Sequence, residues 1–245
     1  MELYFWIVIA FLCTYEPIYG YFDYQKFKEK VRIHSGERVK YYKKIMIGLW
    51  VPTLFILGLV LFGPITLQDI GIKGVSLHTE TLGKWVTYIT LGLFAVYTLA
   101  LIYYLIGSKV SVKMRNEIAK AKQAELEKSK FNDIMPVSKH DKKVWTFVSW
   151  TAGITEEIIY RGFLLFALTQ LFPDLSIWVI LIVSSVLFGL AHTYQGWNNV
   201  IRTSIMGLFL ALIYISLDSL IPVILFHFLA DYIGKIGGSN DEGSD

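Results

Sequence analysis

The chain has 245 residues, 54% hydrophobic and 16% aromatic, with a formal net charge of +3 and a mean hydropathy of +0.50. This balance excludes an ordinary soluble domain and marks a polytopic membrane protein; its slight basic excess, with no nucleic-acid motif, suits anionic lipid rather than nucleic acid. The single cysteine, Cys13, excludes an internal disulfide and any zinc site built on cysteines.

The first apolar span runs from about Leu3 to Phe22 and is interrupted by Glu16-Pro17. No Lys or Arg precedes it and no small-residue cleavage site follows, so it reads as a retained helix rather than a signal peptide. Cys13 within it reads as a lipid-facing or packed residue. Residues 23–44 read as a basic loop with eight Lys/Arg. A second span covers Ile45 to Phe62, with Pro52 as a tolerated kink. A short connection with Lys73 and Lys84 leads to a third span, Trp85 to Ile106.

Residues 107–143 are charged throughout, with ten Lys/Arg. Within them Val112–Lys130, rich in Ala, Glu, Lys and Gln, predicts a solvated or interfacial helix. Four apolar segments follow: Val144–Phe172, Ile177–Ala191, Val200–Leu217 and Leu220–Ile236. The fold class expected is an all-α polytopic bundle of about seven transmembrane helices. It divides into N-terminal spans over 1–107, a charged connector over 108–143, a helical core over 144–236, and an acidic, disordered tail over 237–245. Basic loops face the cytoplasm. The expected protein is therefore a multi-pass cell-membrane protein with its N-terminus outside and its C-terminus in the cytoplasm.

The chemistry lies in the second half. Glu156, Glu157 and Arg161 stand within six residues of an otherwise apolar helix, and each ionisable group there costs roughly 2.5–3.5 kcal/mol on insertion scales. Glu157 and Arg161 are four apart and share a face, so a salt bridge is expected. Glu156 is rotated by about 100° and stays available as a general base. His192 ends the next span, and His227 with Asp231 shares one face of the last. A carboxylate on an imidazole fixes its tautomer, and Asp231 is the expected orienting partner of His227. Taken singly, the Glu–Arg pair suits a packing lock, His192 an interfacial position and His227–Asp231 a hydrogen-bonded couple; all of them together suggest hydrolysis within a membrane.

The motifs Glu156-Glu157-x-x-x-Arg161, Phe188-x-x-x-His192 and His227-x-x-x-Asp231 resemble, in order, those of the CPBP intramembrane proteases, the Abi family. It comprises the type II CAAX prenyl endopeptidases and bacterial bacteriocin-processing or immunity proteins. The resemblance covers residues 144–235. It implies an intramembrane endopeptidase, open toward the cytosol, acting on a peptide or lipidated protein held at membrane lipids. Glu156 would activate the attacking water with help from His192, Glu157 and Arg161 would shape the site, and His227 with residue 231 would stabilise the oxyanion. The family is also described as metalloproteases, which makes Glu156, His192 and His227 candidate zinc ligands with one position open for water; no organic cofactor is implied.

The prenyl endopeptidases usually carry Asn at the position of Asp231. An ionised Asp cannot donate to an oxyanion, so Asp231 points toward orienting His227 or binding metal, and the chain leans toward bacterial peptide processing. Two readings of other classes compete. One is a non-enzymatic bacteriocin-immunity or membrane scaffold protein that uses the same pocket for binding. The other is a proton-coupled transporter, disfavoured because the ionisable groups are confined to one half.

Overall fold

A computed structural model describes residues 2–128 and 132–236; the expected acidic tail over 237–245 lies outside the described residues. Every regular element among them is helical. Helix α1 spans Glu2–Ile33, α2 Glu37–Phe62, α3 Lys84–Val110 and α4 Val112–Lys128. Helix α5 starts as Lys139–Glu156, widens into a π-helical stretch at Glu157–Leu164 and ends as Leu165–Leu171. Helices α6 (Ile177–Leu190), α7 (Trp197–Leu217) and α8 (Leu220–Ile233) complete the bundle. The all-helical membrane bundle is thus as expected. Helices α1, α2, α3 and α7 are long and apolar enough to cross a membrane, whereas α6 and α8 are apolar but have only 14 residues each.

The expected basic loop over 23–44 is instead a helical hairpin. Helix α1 continues to Ile33, α2 begins at Glu37, and only a short turn separates them. Burial explains the difference. Tyr24, Phe27 and Val31 fall at i, i+3 and i+7 and are buried with Tyr42, Ile134 and Val148, an amphipathic stripe that holds the charged segment helical. The basic residues sit outside that stripe and find acids: Lys44 pairs with Asp23 at 2.5 Å, and Arg32 with Asp133 at 3.7 Å. Glu16-Pro17 does not end the first helix either. The missing N–H of Pro17 falls inside a π-helical turn, Tyr15–Gly20, which absorbs the break in the ladder.

The main core gathers Phe163, Leu164 and Ala167 of α5, Leu181 of α6, Ile213 of α7 and Val223 of α8, all fully buried. Helix α5 lies at the centre, packed on α2 and α8, while α6 and α7 pack along each other. The outer faces stay apolar: Leu61, Val96 and Leu99 are each more than 60% exposed, as expected where lipid replaces water.

Candidate active site

The start of α5 is set by a capping box. Ser138 accepts from the Asp141 backbone N–H at 3.0 Å and the Asp141 carboxylate accepts from the Ser138 N–H at 3.0 Å, satisfying two orphan donors. Arg38 of α2 reaches the same carboxylate at 3.6 Å. One turn on, Trp145 Nε1 donates to the Asp231 carbonyl of α8 at 3.0 Å. Gly153 lets the two helices close up, since a Cβ there would lie 3.1 Å from both the Ile224 carbonyl oxygen and the Phe228 nitrogen. That approach sets α8 against the two glutamates.

The π-helical stretch begins at Glu157, and all eight of its residues are buried. Such widened turns recur at functional sites because they redirect side chains from the regular helical face. Arg161 Nη1 donates to Glu157 Oε1 at 3.1 Å, the intrahelical pair expected from the spacing. Arg161 Nη2 donates to the Gly207 carbonyl of α7 at 3.3 Å, and its guanidinium lies 4.0 Å from the centre of the Phe188 ring. Glu157 is fully buried and Arg161 is 1% exposed, so the pair is stabilised by these extra contacts rather than by water.

The same Glu157 Oε1 meets His227 Nδ1 at 2.6 Å. This corrects the expected partner of His227. Asp231 Oδ2 is 3.7 Å from His227 Nε2, too long for a hydrogen bond; the orienting carboxylate is Glu157, seventy residues away in the chain. An ionised carboxylate only accepts, so the proton on Nδ1 points at Glu157. Nε2 is left on the side of Glu156 and Asp231, 3.9 Å from Glu156 Oε2.

Glu156 faces away from the Arg161 pair. It lines a cavity of about 890 Å³ together with His192, His227 and Asp231, and its Oε2 is buried without a hydrogen-bond partner. His192, just past the end of α6, donates from Nδ1 to the Phe188 carbonyl at 2.9 Å, since a carbonyl can only accept. Its other nitrogen is then the basic one in the neutral ring. The Phe188 ring sits between the two imidazoles, 5.0 Å from His192 and 6.3 Å from His227. All six residues singled out in the sequence are therefore gathered here: Glu156, His192, His227 and Asp231 at the cavity, Glu157 and Arg161 behind it.

Three neighbours escaped the sequence reading. Glu16 of α1 lies within electrostatic reach of Glu156, Tyr160 and Tyr194. The Tyr160 hydroxyl is buried and unpaired. Tyr194, in the connection after α6, stacks on His192 at 6.1 Å; burial pushes its phenol well above the usual range. Glu16 carried a signal: an acid in an apolar span is costly and needs a reason. The two tyrosines carried none.

Among the described residues no three His, Cys, Asp or Glu side chains are grouped closely enough to hold a metal ion, although the Nδ1 bonds of His192 and His227 leave each Nε2 available. As placed here, Glu156, His192 and His227 are not a preformed ligand set.

Residues 142–233 match the family model of the type II CAAX prenyl endopeptidase, Rce1-like. Neither a curated protein nor a solved structure matches the chain. The matched segment runs from α5 to α8 and carries all three motifs that form the site. Over residues 142–233, rather less than half of its length, this chain is therefore similar to the CAAX-type intramembrane protease family.

Proposed function

We propose that the chain is an intramembrane endopeptidase that hydrolyses a peptide bond of a membrane-associated peptide or protein, with Glu156 activating the water. One observation carries this reading: Glu156 offers a buried carboxylate oxygen with no protein partner, in the wall of the cavity that His192, His227 and Asp231 also line. Water held between Glu156 and the free nitrogen of His192 gives up a proton to the carboxylate as it attacks the scissile carbonyl. The tetrahedral oxyanion then needs a donor. When His227 is protonated, its Nδ1–H remains on Glu157 and its Nε2–H faces the cavity to supply that donor. On collapse the C–N bond breaks, and the proton on Glu156 passes to the departing amine.

Glu157 and Arg161 act behind the reacting groups in this scheme. They hold one tautomer and one orientation of His227, as a buried carboxylate commonly does for an imidazole. The basic helix ends around residues 26–44 and 109–143 are proposed to face the cytoplasm.

Glu156→Gln tests the reading, because it keeps volume and removes the base. Released peptides are compared by mass spectrometry between cells holding the wild type and the variant. Loss of a general base lowers hydrolysis by roughly 10²–10⁴, with unchanged thermal stability of the purified variant. The same released peptide at wild-type level would refute Glu156 as the base. Repeating the assay after exhaustive chelation tests activation without a metal, since cleavage should persist.

A further inference from the structure

A second cavity, of about 320 Å³, lies at the ends of α3 and α8 beside the start of α4, lined by Leu105, Ser108, Lys109, Arg115, Tyr232 and Lys235 among others. Three cations converge on it, and among the described residues no acidic side chain lines it. Lysines at helix C-termini commonly offset the helix dipole, which accounts for Lys109 in the last turn of α3 and for Lys235 beyond α8. It does not account for Arg115, which sits in the first turn of α4, where a cation opposes the dipole. The Arg115 Nε is buried and has no hydrogen-bond partner. Lys235 is held in place from two sides, donating to Thr146 Oγ1 at 2.8 Å and lying 3.5 Å over the Tyr232 ring.

We infer that this cavity binds a phosphate group, and that its source is the head of an anionic phospholipid. Like charges with no counter-charge among the described residues repel one another, and a phosphate relieves that repulsion while accepting from the unpartnered Arg115 Nε–H. Basic pockets between membrane helices near the surface suit such heads. The surroundings favour lipid over a free ion. Helix α3 leads away from the cavity with Tyr103, Leu99 and Val96 exposed, an apolar track for the acyl chains. Helix α4 also contributes Met114 and Ile118 to the catalytic cavity, so a head bound at Arg115 would tie that helix to α3 and α8 at the mouth of the site.

The test reads lipid binding, not proteolysis, and so stands apart from the proposed reaction. Purified full-length protein in a neutral detergent is titrated with phosphatidylglycerol, phosphatidylcholine or inorganic phosphate, and bound species are counted by native mass spectrometry. Phosphatidylglycerol should bind at least five-fold tighter than phosphatidylcholine. Lys109→Gln and Arg115→Gln should each weaken it roughly five-fold, the factor expected for about 1 kcal/mol per cation near a membrane surface. Lys26→Gln removes an exposed cation from the α1–α2 hairpin and should change nothing. Lys109 is exposed, so its replacement does not threaten folding. Full displacement of the lipid by millimolar inorganic phosphate would assign the site to a soluble ion and overturn the lipid source. Equal affinity for both lipids, or equal loss in Lys26→Gln, would overturn the site itself.

Discussion

Arg161→Met removes one charge from a buried pair while nearly conserving volume. The wild-type guanidinium donates to Glu157 and to the Gly207 carbonyl, and it stacks on Phe188. Its loss leaves Glu157, which is fully buried and already has an unpaired Oε2, as an uncompensated charge. Breaking one partner of such a pair costs about 3–5 kcal/mol. For a chain of this length that lowers the unfolding midpoint by on the order of 6–20 °C. The assay is tryptophan fluorescence during thermal unfolding of the detergent-solubilised protein. The double variant Glu157→Gln/Arg161→Met removes both charges and should recover most of the loss, because neutral replacements of buried pairs are often tolerated. Glutamine can still accept from His227. A midpoint for Arg161→Met within about 2 °C of wild type, or a double variant as unstable as the single one, would refute the argument.

Two more predictions concern the same site. Glu157→Gln alone should leave His227 less firmly oriented and, like loss of a positioned oxyanion donor, lower kcat by roughly 10²–10³ with little change in KM; a change confined to KM would show that Glu157 contacts substrate instead. Gly153→Val should force α5 and α8 apart, because its Cβ already meets backbone atoms at 3.1 Å; overpacking of this kind costs about 1–3 kcal/mol. An unchanged unfolding midpoint for that variant would show that the interface yields freely.

Apolar runs made the helices legible, because burial in lipid demands long stretches without charge and α-helical pairing of every backbone group. Their ends were less legible. Residues 23–44 are charged, and charge alone suggests a loop; the helical stripe of Tyr24, Phe27 and Val31 was needed to see otherwise. Within the site, the Glu157–Arg161 pair could be read because spacing along one helix is local information. The partner of His227 could not. Its i+4 neighbour Asp231 satisfied the spacing rule, but the close approach of α8 to α5 at Gly153 delivers Glu157 from another helix. Glu16 showed in the sequence as a costly acid in an apolar span, but its neighbour did not. Beside Pro17 it read as a break in the span, whereas the π-turn keeps the helix going and brings the acid near Glu156.

Helices α6 and α8 hold fourteen residues each, a length of about 21 Å. The hydrocarbon layer they sit in is about 30 Å thick, which leaves roughly 9 Å that these two helices do not fill. A bilayer meets such a mismatch by thinning around the protein or by letting its headgroup region dip inward. Both outcomes bring hydration down toward His192, just past the end of α6, and toward His227, midway along α8, so in the proposed reaction a substrate bond resting near the surface need not be dragged into oil to be cut.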